Sequence, residues 1–297
     1  MGNEASTRPS HLATPYFLFP LTIAFCLLPI AKNGSNNDEL SQQKGNRMAI
    51  SVKDRVVIIT GGAGEIGSVL ARRLVDEGAA VVIADIADGR ELGAELKKAK
   101  RGNKVIYVKA DVTSEKDMAK LAATTLKNFG RIDVLINNAG LFTGTPFDDL
   151  TYAEWQKRMK VNVDGVFLAT KAVVPAMTEQ GSGKIINIGS DTVWMGTPGM
   201  AHYVTSKAAV LGLTRELANE LGPRGITTVY VTPTLLDTPG TRAAFQQGHF
   251  DYVQSHTPIG QLETPEDIAG LIVFLCSPEA KFINGSAINI GGGISMH

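Results

Sequence analysis

From residue 48 onward, short apolar runs rich in β-branched residues alternate with longer stretches of helical periodicity. Runs that are continuously apolar, rather than alternating, are typical of parallel strands covered on both faces. The pattern predicts seven strands, at 55–60, 79–84, 104–110, 132–137, 183–189, 226–231 and 286–290. It predicts helices at 68–78, 114–130, 151–179, 203–221 and 265–276, the second of them capped by Ser114 and stopped at Gly130.

The repeated alternation of strand and helix predicts an α/β fold: a single doubly wound Rossmann-type domain over residues 48–297, with a mostly parallel seven-stranded sheet and helices on both faces. Met48 starts the segment MAISVKDRVVIITGG, which is typical of the beginning of such a domain. No internal repeat and no linker follows it.

Residues 1–47 are predicted to be an N-terminal extension. The apolar run at 16–31 is shorter than the ~20 residues of a membrane-spanning helix, and Pro20 and Pro29 interrupt it. A signal peptide fits poorly, because the leader before the run is long and carries Glu4. An unused upstream start, a targeting or anchoring segment and a disordered extension stay open, with the first and third favoured over an anchor. Membrane contact is expected only if residues 16–31 are retained.

Composition narrows the function classes. The chain has 44% hydrophobic and 20% charged residues and a formal net charge of zero, which is ordinary for a globular protein and argues against binding of nucleic acid. Its two cysteines, Cys26 and Cys276, lie in unrelated contexts and predict no disulfide framework. A reducing compartment, the cytoplasm, is therefore expected.

A glycine-rich stretch, TGGAGEIG at 60–67, lies between the first strand and the first helix. In this context, glycines let backbone N–H groups approach a pyrophosphate at the positive end of a helix. The stretch fits G-x-G-x-x-G from Gly62, and also T-G-x-x-x-G-x-G from Thr60 with Glu65 in place of a glycine. Asp85, at the end of the second strand, is placed to accept hydrogen bonds from the adenosine ribose, which favours NAD over NADP because Ile86 follows instead of Arg.

The segment YVTSK places Tyr203 and Lys207 four residues apart, on one face of a helix. A nearby ammonium favours a phenolate, so we expect Lys207 to lower the pKa of Tyr203 and to fit it for proton transfer to a carbinol oxygen. Ser190 ends the fifth strand thirteen residues earlier, at the sheet edge where open α/β folds bind ligands.

Together these motifs resemble the short-chain dehydrogenase/reductase family over essentially all of residues 48–297. The resemblance rests on Asp85, Ser190 and the segments TGGAGEIG (60–67), ADV (110–112), NNAG (137–140), VNVDGVF (161–167), YVTSK (203–207) and FINGSAINIGGG (282–293). It decides for the Thr60 template and implies NAD as cofactor and a homotetramer. It also implies a catalytic tetrad of Asn162, Ser190, Tyr203 and Lys207.

In that tetrad, the resemblance makes Tyr203 the acid/base, Ser190 the partner of the substrate oxygen, Lys207 the ribose ligand, and Asn162 the anchor of a water. The implied cofactor-binding residues are Gly61, Glu65, Ile66, Gly67, Asp85, Asp111, Val112, Asn138, Ala139, Gly140, Tyr203, Lys207 and Thr238. The sequence departs from the family pattern at Glu65, Tyr230, Thr234 and Gly291. For Glu65, the plain expectation is a side chain pointing to solvent, and the sharper hypothesis is that it competes with the pyrophosphate and weakens cofactor binding.

The region between Ser190 and Tyr203 is predicted to form an apolar wall of the substrate pocket, with Trp194 and Met200. The segment after Thr238 is predicted to be a mobile lid, in which Phe245, Phe250 and Tyr252 close over an apolar substrate. The loops resemble those of 1-phenylethanol dehydrogenase-type secondary alcohol dehydrogenases. The spacing of His202, His249 and His256 fits no metal site, so no metal is expected.

We therefore expect an enzyme, an NAD(H)-dependent oxidoreductase that interconverts a small apolar secondary alcohol and its ketone. An alternative in the same family is a 3-oxoacyl-thioester reductase, acting on an acyl carrier protein or coenzyme A thioester. A remote alternative is a catalytically inactive dinucleotide-binding protein, against which the intact tetrad argues.

Overall fold

Seven strands form one sheet in the computed structural model of the chain, which describes residues 50–98 and 104–296. They are β1 (Val56–Thr60), β2 (Ala80–Asp85), β3 (Val105–Lys109), β4 (Val134–Asn137), β5 (Gly183–Ile188), β6 (Ile226–Thr232) and β7 (Ala287–Asn289). Their order is β3-β2-β1-β4-β5-β6-β7, and every neighbouring pair is parallel. The predicted strands are confirmed, and the sheet is parallel throughout.

Helices connect these strands. They are α1 (Glu65–Asp76), α2 (Arg90–Lys98), α3 (Glu115–Phe129), α4 (Tyr152–Met159), α5 (Gly165–Gln180), α6 (Thr192–Met195), α7 (Ala201–Leu221), α8 (Pro239–Ala244), α9 (Gln247–His256) and α10 (Pro265–Cys276). The caps predicted for α3 are confirmed, because Ser114 accepts a hydrogen bond from the Asp117 amide and Gly130 adopts φ 74°. The helix predicted at 151–179 is two helices joined by a π-turn at Lys160–Asp164. The sequence pattern did not predict α2, and the predicted lid is helical in α8 and α9.

Alternate strand residues build two apolar layers, one on each face of the sheet. Val57 and Ile59 of β1 belong to the layer that includes α1 and α10, whereas Ile58 belongs to the layer with α3 and α5. Because side chains alternate across a strand, a strand that is buried on both sides must be apolar at every position. This doubly wound arrangement explains why the strands read as continuous apolar runs.

Strand order reverses between β1 and β4. The chain winds outward through β2 and β3 on one side of β1, then returns to continue through β4 to β7 on the other. In open parallel sheets, the loops diverge at such a point and leave a crevice at the carboxyl ends of the strands. The segments 60–67 and 137–146 leave β1 and β4 at this edge.

The predictions for residues 1–47, including the apolar run at 16–31 and Cys26, lie outside the described residues. Within the described part of the chain, no helix is both long and apolar enough to cross a membrane. Cys276 is a buried free thiol at the end of α10.

Candidate active site

A cleft of about 1290 Å³ opens at the carboxyl ends of β1, β2, β4 and β5, where the strand order reverses. It brings together almost every residue predicted for the cofactor and most of those predicted for catalysis. Its lining includes Gly61, Glu65, Ile66, Asp85, Asp111, Val112, Asn138, Ala139, Gly140, Ser190, Tyr203, Lys207 and Thr238. Of the predicted cofactor and tetrad residues, Gly67 and Asn162 lie behind this lining.

The first glycine of the phosphate loop is fixed by a close approach to the β4 loop. Gly61 has φ +62°, and a Cβ there would lie 2.8 Å from the Cα of Ala139. The Thr60 hydroxyl accepts hydrogen bonds from the amides of Asn138 and Ala139 at 3.1 and 3.2 Å, while the Asn138 side chain donates to the Thr60 and Gly61 carbonyls. These bonds join the two loops into one rigid wall of the cleft.

The last glycine has a packing role. A Cβ on Gly67 would lie 2.2 Å from the Gly61 carbonyl oxygen, so only glycine lets α1 begin this close to the loop. The N-cap of α1 is Gly64, which has no side chain to cap the first turn. The amides at a helix start lack intrahelical partners, and those of Glu65 and Ile66 belong to residues that line the cleft. This cradle fits a pyrophosphate.

Asp85 holds the turn after β2 by two backbone hydrogen bonds. Its Oδ2 accepts from the amide of Ala63 in the phosphate loop, and its Oδ1 accepts from the amide of Ala87, both at 2.9 Å. Ile86 beside it is 64% exposed and offers no positive charge. The carboxylate therefore faces the adenosine end of the cleft in a fixed position, which fits a ribose better than a phosphate.

The plain expectation was that the Glu65 side chain points to solvent, but it also makes a contact within the protein. Its Oε1 accepts a hydrogen bond from the backbone amide of Gly240 at 2.7 Å, so the carboxylate joins α1 to α8. α8 begins directly after Thr238, whose hydroxyl accepts from the Thr241 amide and caps that helix. Pyrophosphate competition by Glu65 stays a prediction.

Ser190, Tyr203 and Lys207 meet at the other end of the cleft. Ser190 follows β5, where its hydroxyl forms a 2.9 Å hydrogen bond with that of Thr192, and it lines the cleft together with Tyr203 of α7. The Lys207 ammonium lies 5.7 Å from the centroid of the Tyr203 ring and donates to the Ile188 carbonyl at 2.7 Å. The structure thus joins the predicted hydroxyl, phenol and amine in one place.

The expected lowering of the Tyr203 pKa by Lys207 is not seen in this structure. Burial raises the pKa of Tyr203 to about 12, and the nearby Ser190 hydroxyl opposes this shift only in part. Burial also lowers the pKa of Lys207 to about 8. Desolvation disfavours both charged forms, so any positive charge in this apolar pocket acts strongly on the phenol.

Asn162 lies in the π-turn between α4 and α5 and is buried. Its Oδ1 accepts from the Leu141 amide at 2.8 Å, and its Nδ2 donates to the Leu141 carbonyl and to the Ser206 hydroxyl, both at 3.0 Å. Such π-turns are frequent at functional sites. Here the turn directs Asn162 to fix the β4 loop against α7. Its role as a water anchor stays a prediction.

The substrate end of the cleft is apolar. Its lining includes Leu141, Phe142, Met195, Met200 and Phe245, and the rings of Phe142 and Phe245 lie 6.5 Å apart. Met200 and Phe245 therefore line the cleft, as predicted.

Two other aromatic residues lie elsewhere than expected. Trp194 is not part of the lining and packs against a cluster of Val166, Val210, Leu211 and Tyr230. Phe250 was predicted to close over substrate, but it is fully buried and does not line the cleft, and the Arg242 guanidinium lies 4.0 Å from its ring centroid. Tyr252 does line the cleft.

The departure at Tyr230 has a structural explanation. Tyr230 is fully buried in β6, and its hydroxyl donates to the Lys207 carbonyl at 3.0 Å. A Cβ on Gly189 would lie 2.0 Å from the Tyr230 ring, so this glycine makes room for it. Tyr230 thus joins β6 to α7, the helix that carries Tyr203 and Lys207.

Sequence reasoning missed three buried charged residues next to the site: Arg158, Asp191 and Glu263. Asp191 directly follows Ser190, and burial raises the pKa of its carboxyl to about 6. Glu263 accepts from the Thr234 amide at 2.7 Å, and burial raises its pKa to about 8. The sequence contexts of Asp191 and Glu263 give no sign of burial. For Arg158 there is one signal: it lies four residues before Asn162, and this helical spacing places it on the inward face.

In the described ranges no cluster of three or more His, Cys, Asp or Glu side chains is arranged to hold a metal ion.

Comparison with known proteins adds an independent line of support. The family model described as enoyl-(acyl carrier protein) reductase matches residues 61–295. The (2S)-[(R)-hydroxy(phenyl)methyl]succinyl-CoA dehydrogenase subunit BbsD of Thauera aromatica is 37% identical over 248 residues, which are 83% of this chain and 99% of that protein.

Other relatives are named as reductases or as dehydrogenases. A 3-oxoacyl-[acyl-carrier-protein] reductase of Synechocystis sp. is 36% identical over 82% of this chain and 97% of its own length. A 3-alpha-(or 20-beta)-hydroxysteroid dehydrogenase of Mycobacterium bovis is 37% identical over 80% of this chain and 88% of its own length. The crystal structure of a 3-ketoacyl-(acyl-carrier-protein) reductase from Brucella melitensis complexed with NADH superposes with a TM-score of 0.76 at 32% identity, covering 83% of this chain and all of that one.

Proposed function

The chain belongs to the short-chain dehydrogenase/reductase family, and on that premise we propose that it is an NAD(H)-dependent oxidoreductase that interconverts an apolar secondary alcohol and its ketone. The observation that carries this proposal is the meeting of Ser190, Tyr203 and Lys207 at the apolar end of the dinucleotide cleft. A remote possibility, an inactive dinucleotide-binding protein, would not need these three groups together.

Each residue of the site has a separate role in the proposed reaction. When bound, the nicotinamide accepts or returns the hydride. Ser190 holds the carbinol or carbonyl oxygen by a hydrogen bond, and Tyr203 takes a proton from that oxygen in oxidation or gives one in reduction. Lys207 lies beside the phenol and keeps a positive charge near it, and the Asn162 amide holds Leu141 in place at the wall. The apolar lining excludes water from the reacting atoms.

NAD rather than NADP is favoured by the adenosine end of the cleft. Asp85 is fixed by two backbone amides and would repel a 2′-phosphate, while Ile86 supplies no counter-charge. Support for an apolar substrate comes from Phe142, Met195 and Phe245, which line the opposite end.

The test is an NADH-absorbance screen of secondary alcohols and ketones with the full chain, wild type beside Tyr203→Phe. We expect turnover of an aryl or alkyl ketone by the wild type, and loss of turnover with NADH binding retained in the variant. Ser255→Ala, an exposed hydroxyl on α9, is the control for a lost hydroxyl outside the site. If the Tyr203→Phe chain keeps more than about a tenth of wild-type kcat, Tyr203 is not the acid/base.

A second candidate is a 3-oxoacyl-thioester reductase. The observation that favours it is a pair of exposed lysines, Lys157 and Lys160, in the lining of the cleft, where they could meet an acidic carrier or coenzyme A phosphate. Replacing both lysines with alanine should raise KM for acetoacetyl-CoA and leave KM for acetophenone unchanged if thioesters are the substrates. Preference for acetophenone and NADH in the wild type, with no effect of the lysines, supports the first candidate.

We also propose that the enzyme is a homotetramer, as the family resemblance implies. Light scattering after size-exclusion chromatography would test this, and a monomeric mass would contradict it.

A further inference from the structure

Arg158 is a buried cation next to the catalytic centre. It lies in the last turn of α4, four residues before Asn162, and is only 4% exposed. α4 packs against α7, the helix that carries Tyr203 and Lys207. Arginine is almost never fully buried unless it is paired, because removing its charge from water is costly.

The guanidinium has hydrogen bonds on one nitrogen only. Its NH2 donates to the Thr143 carbonyl at 2.6 Å and to the Thr143 hydroxyl at 2.9 Å, and it lies 3.1 Å from Nε2 of His202. Its Nε and NH1 are buried without a hydrogen-bond partner among the described residues. No carboxylate in the described part of the chain forms an ion pair with it. The positive charge is therefore uncompensated.

Two titratable groups face Arg158 besides the catalytic tyrosine. Glu154, one turn earlier on α4, is exposed and acts only at a distance. His202 is buried, and burial together with the Arg158 charge lowers its pKa, which keeps the imidazole neutral at neutral pH. Because Nε2 then accepts from the guanidinium, the proton of His202 lies on Nδ1, and the histidine adds no charge of its own.

The charged and titratable groups facing Tyr203 come from four elements. Lys207 lies on the same helix, Asp191 follows β5, Tyr230 lies in β6 and Arg158 lies on α4. Asp191 opposes ionisation of the phenol, and Tyr230 is neutral at ordinary pH since burial raises its pKa further. Arg158, whose guanidinium lies 3.1 Å from Nε2 of His202, the residue before Tyr203 on α7, favours ionisation. Because burial lowers the pKa of Lys207 to about 8, Arg158 is the more permanent of the two positive charges.

We propose that Arg158 is a positioning residue of the catalytic centre: its buried, unpaired guanidinium favours the phenolate form of Tyr203 and holds Thr143 beside the substrate end of the cleft. This inference rests on the proposed function, in which Tyr203 transfers the proton. An unpaired buried charge lowers stability, and such local conflicts are expected where function requires them.

Direct recognition of a substrate anion by Arg158 does not fit the geometry. Its neighbours Lys157 and Lys160 line the cleft, whereas Arg158 does not. The guanidinium lies outside the lining of the cleft. It therefore acts through Tyr203 and the Thr143 backbone, and its charge influences the phenol without contact with substrate.

The test measures the ionisation of Tyr203 without turnover. The six tyrosines of the full chain are labelled with 3-fluorotyrosine, and the ¹⁹F resonance of Tyr203 is assigned by its absence from Tyr203→Phe. In Arg158→Met, we expect the titration midpoint of Tyr203 to rise by about 0.5 to 1 pH unit. In Arg158→Lys, which keeps the charge but loses the forked contacts with Thr143, the midpoint should stay near that of the wild type.

The matched control is Arg215→Met, an exposed arginine on α7, which should leave the midpoint unchanged. If Arg158→Met does not fold, Arg158→Gln removes the same charge and should give the same upward shift. A midpoint that is equal in the wild type and the charge-removing variant overturns the proposal. In an active enzyme, the pH profile of kcat for alcohol oxidation should move by the same amount. Absence of turnover with every ketone would contradict the proposed function but leave the ¹⁹F result valid.

Discussion

The carboxylate of Glu65 accepts a hydrogen bond from the backbone amide of Gly240, which joins the first turn of α1 to the start of α8. Both residues lie beside the cleft, one in the phosphate loop region and the other directly after Thr238 and Pro239. A Cβ on Gly240 would lie 2.9 Å from Oε2 of Glu65, so the contact is close on both carboxylate oxygens. The unusual acid in the phosphate loop therefore joins α1 to the start of the predicted lid, a contact that is called the Glu65 tether below.

Removal of this tether should loosen α8. In Glu65→Ala, we expect faster tryptic cleavage after Arg242, which lies in that helix, because α8 is short and its amide loses a charged partner. The cleavage rate is followed by mass spectrometry of the native chain. Glu65→Gln keeps an acceptor oxygen and should be cleaved at an intermediate rate.

Glu91→Ala is the control, since Glu91 is an exposed acid in the first turn of α2. Equal cleavage of the wild type and Glu65→Ala would show that the contact does not restrain the lid. A further variant, Glu65→Gly, tests the hypothesis of competition with the pyrophosphate, which requires Kd for NADH to tighten.

Tyr230 should stabilise the fold through its bond to the Lys207 carbonyl. Tyr230→Phe removes one buried hydroxyl and leaves the packing against Gly189 intact, so we expect a loss of about 1 kcal/mol in the free energy of unfolding by urea. Tyr107→Phe is the matched control, because the Tyr107 hydroxyl donates to the Ala87 carbonyl at an exposed site. A Tyr230→Phe chain as stable as the wild type would contradict this role.

The parts of this molecule that the sequence predicts are those set by local periodicity and by backbone geometry. The strands follow from continuous apolar runs, and Gly61 and Gly67 follow from a loop that tolerates no Cβ. Glu263 escaped prediction because it lies in a segment with the pattern of an exposed loop, and Arg158 escaped because a charged residue is ordinarily exposed even where helical spacing places it on the inward face. Their burial comes from contacts with residues distant in sequence, such as His202 and Thr234. The prediction that Trp194 lines the pocket was wrong for the same reason, because packing against distant residues decides the direction in which a short helix points its side chain.

Cofactor preference should depend on Asp85 and Ile86. The double change Asp85→Ser with Ile86→Arg removes the carboxylate that would repel a 2′-phosphate and supplies a guanidinium for it, so kcat/KM should shift toward NADP by at least about tenfold. Asp85→Asn is the control: it can still accept one backbone hydrogen bond, and it separates loss of charge from loss of the turn. Initial rates with both cofactors measure the shift. An unchanged ratio in the double variant would contradict recognition at this position.

Two buried acids lie near Thr234: its amide donates to Glu263 at 2.7 Å, and it lowers the pKa of Asp191 slightly against the effect of burial. One oxygen of each carboxyl has no hydrogen-bond partner among the described residues. Burial raises the pKa of Asp191 to about 6, and burial together with the Asp191 charge raises that of Glu263 to about 8. At neutral pH Asp191 is therefore ionised, whereas the folded state prefers the neutral form of Glu263.

This preference predicts that Glu263 makes the protein less stable as pH rises. Between its unfolded pKa of 4.5 and its folded pKa of about 8, the folded chain holds a proton that the unfolded chain has lost, so the stabilisation is complete below pH 4.5 and disappears as pH rises through 8. Glu263→Gln stays neutral throughout, so its stability relative to the wild type in urea unfolding should rise by about 3 kcal/mol between pH 5.5 and pH 8. The difference between the two chains cancels the contributions of Asp191 and His202. Glu279→Gln, an exposed acid, is the control, and a difference between wild type and Glu263→Gln that does not change with pH would show that Glu263 is ionised in the folded protein.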